Sequence, residues 1–573
     1  MNKLRESLSK YPELALVFLI TFLYLYFQLD MMTRTTGDEK TYVAQGLEMY
    51  RDGHWFVQTL FDVPDYYKGP LHFIFLQVGF FLFGTHSMFA TLYMNFFGLI
   101  IATLLLYKFF MHEFNDKAWG FFYAGSFAMS IGVWSHMFAS QMEAELVICY
   151  AIVLYLLNRL EYDNRLRFQL LLWGMIGLTG WLKSPAYSVF LGVSVPLYWF
   201  MTSQLLKRVK DKNTWIALMF GIFIGFAGYI PILIYDADAF IETYIIRESL
   251  SKGANGVGWT TAFFPVFTYF LAPWMFAAIF SYLIAIYTVF NKSARVLGEV
   301  ELRLVKLALS MIIPTLLFFT LHKYRGDIYA LPVVSSTLLI AYIYWRAYAK
   351  QYERVYVWMM RLSALVLSAV PLLVIALALH FDPLPLWWPD YLLYLAVFTL
   401  LFTLGFVFYE SRNVAQKGPL LLTFAFVPLL ITLGFVLQIF GKAEMIGAKE
   451  YIKANNITKP LGDYNLHKSF WNEYGSLNTW LEHDVVGLHE ADKLFTFLRE
   501  GGSVIVPGKY RFEQFKGYLP QDITIEDFDV YIWKRWLTHG KGPNGESMFL
   551  AYWKSGDITM IQRDFYIIKL KKK

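Results

Sequence analysis

Acidic residues that could carry chemistry occur at two places in this chain. Asp38 and Glu39 are adjacent in a polar stretch, and Glu143 and Glu145 open an apolar run. A carboxylate can take a proton from a hydroxyl group or help to bind a metal, or it can simply stabilise a helix N-terminus. A carboxylate beside a long apolar run, such as Glu143, is costly without a function or access to water. We treat Asp38, Glu39 and Glu143 as candidate catalytic residues. Glu145 competes with Glu143 for that role.

Basic residues that could bind an anion stand at polar interruptions of the apolar sequence. Lys68 precedes Gly69-Pro70, and Lys183 separates two apolar runs with almost no loop between them. Such cations suit a phosphate group, although the same pattern fits lysines that snorkel to a membrane surface and surface ion clusters. The candidate anion-binding residues are Lys68, Lys183, Arg247, His322, Lys323 and Arg325, and the candidate groove residues are Tyr67, His72, Glu248 and Tyr329.

The composition restricts the class of protein that positions these residues. Of the 573 residues, 57% are hydrophobic and only 16% are charged, against roughly a quarter charged in soluble domains. The single cysteine, Cys149, excludes an internal disulfide and a cysteine cluster for zinc. We therefore predict an all-α polytopic membrane protein and exclude a soluble globular enzyme, a disordered chain and a disulfide scaffold.

About thirteen membrane crossings are predicted, because apolar runs long enough to cross a bilayer as helices recur along the chain. They cover residues 12–30, 87–111, 117–137, 143–158, 168–182, 185–203, 214–235, 263–290, 304–321, 328–346, 357–379, 391–410 and 419–440. A further stretch at 69–84 is short, and polar residues and glycines interrupt it.

The positive-inside rule decides how 69–84 is interpreted. If this stretch does not cross, basic residues dominate every inner loop, whereas a crossing would invert every later loop. We therefore predict that 69–84 is a juxtamembrane or re-entrant helix, with a cytoplasmic N-terminus. The outer-face loops are then 31–86 and 236–262. Within the first loop, the spacing predicts an amphipathic helix from Asp38 to Asp52, with Tyr42, Leu47 and Met49 on its apolar side.

The composition changes near the end of the chain. Residues 441–573 are charged and mixed, and they contain no spanning segment. Patterns typical of helices at 448–455 and 490–499, and of strands at 503–506 and 530–533, predict one small extracytoplasmic α/β domain.

The acidic and basic candidates converge on the outer membrane face in the predicted topology. Few charges are present in the membrane half of the chain, so their gathering on one face is more informative than any single motif. This convergence indicates an extracytoplasmic site for an anionic substrate held in the membrane.

Three parts of the sequence resemble, in order and spacing, the motifs of a known family. Asp38-Glu39, Tyr67-Lys68-Gly69-Pro70-Leu71 and Phe83-Gly84 resemble D-E … Y-x-K-P-P-L … F-G. Gly177-Leu178 with Leu182-Lys183-Ser184-Pro185 resembles G-L-x-x-x-x-K-G-P, and Lys323 with Tyr329-Ala330-Leu331-Pro332 resembles K … Y-x-L-P. The family is the polyprenyl-phosphate-sugar-dependent glycosyltransferases of the GT-C fold (glycosyltransferase family 39), the protein O-mannosyltransferase and lipid A aminoarabinose transferase group. The resemblance covers the predicted membrane domain, residues 1–440.

Three positions depart from the family pattern. Lys68 and Lys183 keep the lysine of their motifs, but Gly69 replaces a proline and Ser184 replaces a glycine. Glu143 stands where the family usually has aspartate. The C-terminal region matches the family only in its place in the chain.

The resemblance implies a reaction for these residues. A sugar linked to polyprenyl phosphate, undecaprenyl in a bacterium, would lie at the outer membrane face, and an acceptor would displace the polyprenyl phosphate with inversion. Asp38 would act as the general base, Glu39 and Glu143 would orient or coordinate, and the cations would stabilise the leaving phosphate. The family differs internally in its use of a divalent metal, for which Asp38 and Glu143 are the candidate ligands here.

The resemblance also implies a cellular location and binding partners for the protein. The acceptor would be lipid A, a protein hydroxyl or an envelope glycan, and the protein would be a multi-pass protein of the bacterial inner membrane with a periplasmic C-terminal domain and no nucleic-acid partner. Two other functions fit the sequence: a transporter or flippase of a lipid-linked sugar, and an envelope oligosaccharide ligase. Transporters tend to place charges at mid-membrane and to contain internal repeats, whereas the charges here are predicted at the outer boundary.

Overall fold

A computed structural model describes most of the chain. The described residues are 11–28, 39–61, 63–251, 264–290, 297–321, 327–348, 353–380, 397, 399–401, 405, 448–466, 477–479, 481–536 and 562–571. Asp38, His322, Lys323 and Arg325 lie outside them, as do the side chain of Glu248, the predicted domain boundary at 440 and almost all of the predicted crossings 391–410 and 419–440.

Helices make up nearly all of the described chain before residue 440. They are α1 (Pro12–Gln28), α2 (Glu39–Asp52), α3 (Leu71–Phe83), α4 (Met88–Phe114), α5 (Lys117–Met129), α6 (Ile131–Met137), α7 (Met142–Arg159), α8 (Leu166–Leu182), α9 (Pro185–Met201), α10 (Leu205–Val209), α11 (Lys212–Ala227), α12 (Ile230–Phe240), α13 (Phe264–Phe267), α14 (Met275–Phe290), α15 (Glu299–Leu321), α16 (Val334–Tyr348) and α17 (Glu353–His380). A π-helix at Ile241–Ser251, short 3-10 helices at Tyr269–Leu271 and Asp327–Val333, and a two-stranded hairpin of β1 (Thr59–Leu60) and β2 (Val63–Pro64) complete this part.

Several of these helices are long and apolar enough to cross a membrane. Three segments qualify among the described residues: Met88–Phe114, Glu299–Phe319 and Ile328–Ala347. The pair Lys212–Ala227 and Ile230–Arg247 is bent by 59° and would count as a fourth if it is one span. These helices identify a membrane protein, while the count of thirteen crossings stays a prediction.

Three predicted crossings are divided in the structure, and one of them, 263–290, contains α13, the 3-10 helix Tyr269–Leu271 and α14. The run 117–137 breaks at Ser130, where the backbone is extended and the hydroxyl donates to the Phe127 carbonyl at 3.0 Å. The run 214–235 bends between α11 and α12, next to Pro231. Hydropathy does not reveal such breaks, because the apolar composition continues through them. The stretch 69–84 does form a helix, α3, whose 13 residues span about 20 Å, less than the hydrocarbon thickness of about 30 Å.

Glycines allow two helices to pack closely. A Cβ atom on Gly177 of α8 would lie 2.3 Å from the Gly221 carbonyl oxygen of α11. A Cβ atom on Gly221 would lie 2.5 Å from the Trp173 carbonyl oxygen of α8. Gly221 and Gly225 are four residues apart, the spacing at which small residues let membrane helices approach each other.

A mixed five-stranded sheet forms the described C-terminal part. Its strands are β3 (Leu461–Tyr464), β4 (Val485–Leu488), β5 (Ser503–Pro507), β6 (Phe528–Trp536) and β7 (Gln562–Leu570), in the order β4-β3-β5-β7-β6. β3 pairs in parallel with β4 and β5, and β7 pairs antiparallel with β5 and β6. Helices α18 (Ala491–Arg499) and α19 (Lys509–Gly517) bury Leu494 and Phe515 in the same core as Ile568.

The C-terminal elements agree with the predicted α/β class. The helix predicted at 490–499 is α18, and the strands predicted at 503–506 and 530–533 are β5 and β6. Strands β3, β4 and β7 were not predicted.

The chain divides into two compact units. One unit takes its members from Met1–Tyr26, Asp65–Ile74 and Leu92–Thr432. The other takes them from Phe27–Pro64, Phe75–Thr91 and Leu433–Lys573, so α2, most of α3 and the C-terminal sheet belong together.

Candidate active site

The first turn of α7 carries both acids that competed in the sequence. Glu143 is 7% exposed and Glu145 is 6% exposed. Residues two apart in a helix point roughly 200° away from each other. The two carboxylates therefore serve different neighbours.

Glu143 forms a buried ion pair with Lys183. The Lys183 ammonium group donates to Glu143 Oε1, and it also lies 4.5 Å above the centre of the Tyr329 ring. Lys183 is the C-cap of α8, and the next residue, Ser184, caps α9 by accepting the Ala186 N–H. The tight junction of the two helices thus holds the lysine beside the carboxylate, and the pairing offsets the cost of burying either charge.

Glu145 pairs instead with His72 of α3. The Nδ1 atom of His72 lies 2.9 Å from Glu145 Oε1, and its Nε2 atom lies 3.4 Å from the Ser140 hydroxyl. All three side chains are buried. The structure therefore joins the predicted groove residue His72 to the acid that the sequence analysis left as a competitor.

A glycine brings the Lys68 segment against α8. A Cβ atom on Gly69 would lie 2.1 Å from the Trp181 carbonyl oxygen, so no other residue fits there without a backbone shift. Trp181 stands two residues before Lys183. The two candidate phosphate-binding lysines are thus carried by backbone segments in direct contact, and the Lys68 ammonium group lies 5.4 Å from the Tyr67 ring centre.

Tyr66 anchors the same segment against α12. Its side chain is buried, and its ring centre is 6.2 Å from that of Phe240. Burial, together with the charge of Asp236, raises the pKa of the Tyr66 hydroxyl to about 12. The packing of this buried ring holds the turn before Lys68 against α12.

An apolar cavity of about 430 Å³ opens along α8, α9, α11 and α12. Its walls include Trp173, Val189, Leu218, Phe226 and Ile245. Gly180 and Pro185, which flank Lys183 in sequence, also line it. Such a cavity suits an extended hydrocarbon chain more than a sugar.

The other predicted site residues have different surroundings. Arg247 lies on the π-helix, where it is mostly exposed and donates to Glu242 at 3.2 Å. Glu39 is the first residue of α2 and is buried; it belongs to the second compact unit. Sequence reasoning missed Ser140 and the contact of Gly69, since neither carries a charge or a motif that indicates its partner.

A metal site was predicted at Asp38 and Glu143. Among the described residues, no three or more His, Cys, Asp or Glu side chains are grouped so that they could hold a metal ion. Of the two predicted ligands, Glu143 is bound to Lys183, and Asp38 lies outside the described residues.

Comparison with solved structures shows the fold. The chain is similar to the crystal structure of ArnT from Cupriavidus metallidurans bound to undecaprenyl phosphate, with 14% sequence identity, 97% coverage of each chain and a TM-score of 0.61. The apo structure of the same protein matches with 15% identity, 98% coverage of each chain and a TM-score of 0.60. No protein-family model and no curated protein matches the chain by sequence. The chain therefore has the ArnT fold over nearly its whole length, which confirms the GT-C fold implied by its motifs.

Proposed function

We propose that this protein is a membrane glycosyltransferase that moves a sugar from a polyprenyl phosphate, undecaprenyl in a bacterium, to an extracytoplasmic acceptor. The observation that carries this proposal is the ion pair between Lys183 and Glu143. In the sequence, Lys183 stands between Gly180 and Pro185, which both line the apolar cavity. The shared fold with ArnT, which has been crystallised with undecaprenyl phosphate, supports it.

Lys183 and Lys68 would bind the donor phosphate. In the structure, Lys183 is paired with Glu143. A phosphate has the same sign of charge as the carboxylate, and its oxygens accept the same hydrogen bonds, so the donor can take the place of Glu143. Arg247, His322, Lys323 and Arg325 are further candidates for this phosphate.

The polyprenyl chain would occupy the apolar cavity. Its lining is mainly glycine, aliphatic and aromatic side chains, which give favourable contact to an isoprenoid. Burial of the chain in protein, with the phosphate held at the lysines, would place the anomeric carbon at a fixed position.

The reaction would be a single displacement with inversion. The acceptor oxygen forms a bond to the anomeric carbon while the bond from that carbon to the phosphate oxygen breaks. The proton of the acceptor passes to Asp38, and the departing polyprenyl phosphate keeps its negative charge beside the lysines. Glu39, and Glu143 once the phosphate has taken its lysine, would orient the acceptor or a divalent metal.

The acceptor would be lipid A, a protein hydroxyl or an envelope glycan. The membrane would be the bacterial inner membrane, with the N-terminus in the cytoplasm and the C-terminal domain on the outer side. The absence of Lys and Arg from the predicted outer loops 138–142 and 380–390 supports this orientation.

Two measurements test the proposal. Mass spectrometry of envelope lipids and glycans from a deletion strain should find one missing sugar. Purified protein should transfer that sugar from its undecaprenyl phosphate carrier, and Asp38→Asn should abolish transfer by a protein that still inserts in the membrane. Lys210→Ala, at an exposed lysine after α10, is the matched control and should keep full activity.

Other outcomes would reject the proposal. Undiminished turnover by Asp38→Asn would remove Asp38 as the base. Movement of the intact lipid-linked sugar across vesicle membranes, without transfer to any acceptor, would support the flippase alternative.

A further inference from the structure

Arg51, in the last turn of α2, binds three acceptors on the C-terminal domain. Its guanidinium group donates to the Val485 carbonyl at 3.1 Å, to Asn478 Oδ1 at 3.0 Å and to Asp484 Oδ1 at 3.2 Å. The planar guanidinium group, with five donors, is suited to several acceptors at once. The contact joins the first outer loop to a region more than 400 residues later in the chain.

Asn478 connects three segments through one buried amide. Its Oδ1 atom accepts from Arg51 and from the Val485 N–H, and its Nδ2 atom donates to the Thr85 carbonyl at 2.9 Å, just after α3. The side chain is fully buried. Because a buried polar group left without a partner is costly, the amide fixes these three segments relative to one another.

The strand β4, at the edge of the described sheet, provides the Val485 carbonyl that accepts from Arg51. The Asp484 carbonyl accepts from the Leu461 N–H at 2.8 Å, on the β3 side. Successive carbonyls of a strand point in opposite directions within the sheet, so the Val485 carbonyl points away from β3, where Arg51 takes it. The Asp484 carboxylate also lies 3.2 Å from His86 Nε2.

Contacts along α2 make it rigid, so that fixing its C-terminal end at Arg51 also fixes its N-terminal end. Gly46 packs so closely on α3 that an added Cβ would lie 2.8 Å from the Leu76 side chain, and the Tyr50 and Phe80 ring centres are 6.0 Å apart. Glu48 accepts from the Phe61 N–H at 2.9 Å. A helix of 14 residues packed in this way moves as a rod of about 20 Å.

We propose that the C-terminal domain positions the N-terminal end of α2, and with it Glu39, through the clamp formed by Arg51, Asn478 and Asp484. These three are positioning residues, and the proposal rests on the proposed function because it assigns the domain a part in the same reaction. A displacement of about 1 Å at a reacting group can cost about 100-fold in rate, so loosening one end of α2 should be visible in kcat.

The test compares clamp variants with a matched ion pair elsewhere in the same domain. Arg51→Gln, Asp484→Asn and Asn478→Ala are made in the full chain, with Arg499→Gln as the control, since Arg499 forms an exposed ion pair with Asp522 at 3.1 Å. Amide hydrogen exchange over residues 39–52 is measured together with kcat and KM for the undecaprenyl phosphate-linked sugar.

The clamp variants should speed exchange over 39–52 and lower kcat by about 10-fold, while KM for the donor changes by less than about 3-fold. Arg51→Lys, which keeps the charge but reaches fewer acceptors, should recover part of the rate, and Arg499→Gln should behave as wild type. Unchanged exchange and kcat in Arg51→Gln and Asp484→Asn, or an equal loss in the control, would overturn the proposal.

The two proposals fail in distinguishable ways. A wild-type protein that transfers no sugar would reject the proposed function, yet the exchange measurement would still report on the clamp. If Asn478→Ala does not fold, the variants of the more exposed residues Arg51 and Asp484 carry the test alone.

Discussion

The Nδ1 atom of His72 and the Oε1 atom of Glu145 lie 2.9 Å apart, with both side chains buried. His72 belongs to the first turn of α3, four residues after Lys68, and Glu145 belongs to the first turn of α7. The pair therefore ties the lysine-bearing turn to the helix that carries both buried acids.

Removal of His72 should destabilise the protein more than removal of the whole pair. His72→Ala leaves Glu145 buried without its partner, a change that costs about 3–5 kcal/mol in comparable buried pairs. The double variant His72→Leu/Glu145→Leu leaves no buried charge and should recover much of that loss. The midpoint of thermal unfolding in detergent measures both, with His54→Ala at an exposed histidine of the first loop as control. A double variant as unstable as His72→Ala would contradict this account.

Lys183 and Glu143 should have opposite effects on donor binding. Lys183→Met should weaken binding of the lipid-linked sugar by about 10-fold or more, equivalent to about 1.4 kcal/mol. Glu143→Gln should instead tighten binding, because the carboxylate that competes for the ammonium group is gone, while kcat falls. Equilibrium binding of the donor, measured separately from turnover, distinguishes the two effects. Equal weakening by both variants would show that Glu143 does not compete with the phosphate.

Gly69→Ala should impair transfer. The added Cβ would meet the Trp181 carbonyl oxygen at 2.1 Å, so the turn that carries Lys68 has to move away from α8. Overpacking of this kind typically costs about 1–3 kcal/mol, and we expect a higher KM for the donor. Gly517→Ala, where an added Cβ meets open space, is the control; a normal KM for Gly69→Ala would argue against a role for this contact.

Filling the cavity should discriminate between donors by chain length. A Cβ on Gly192, which also lines the cavity, would meet only the Trp173 ring at 4.0 Å, so Gly192→Leu can direct its side chain into the cavity without a backbone clash. KM for an undecaprenyl donor should rise by about 10-fold, and KM for a farnesyl donor should rise less. Equal KM changes for the long and the short donor would place the lipid chain elsewhere.

Part of this architecture could be predicted from local patterns. The helix predicted from Asp38 to Asp52 is α2, with Tyr42, Leu47 and Met49 buried as its spacing implied. Such a helix depends on periodicity, which acts over a few residues. Lys183 and Glu143 were both candidate site residues, but the sequence did not predict that they form an ion pair.

The remaining features depend on contacts that no local pattern contains. Helical spacing separates Glu143 from Glu145, but only the packed neighbours decide which acid faces lysine and which faces histidine. Gly69 departs from the family motif, and its use becomes evident only when the Trp181 carbonyl is seen against it. The clamp joins Arg51 to residues more than 400 positions away.

The first turn of α7 carries two buried acids with different partners. One of its acids holds the lysine to which we propose that the donor phosphate binds, and the other holds a histidine whose two ring nitrogens contact Glu145 and Ser140. Under that proposal, donor binding breaks the first contact and leaves the second in place. The Glu145–His72 contact would then keep α7 in register, so the site would change its charge without changing its shape.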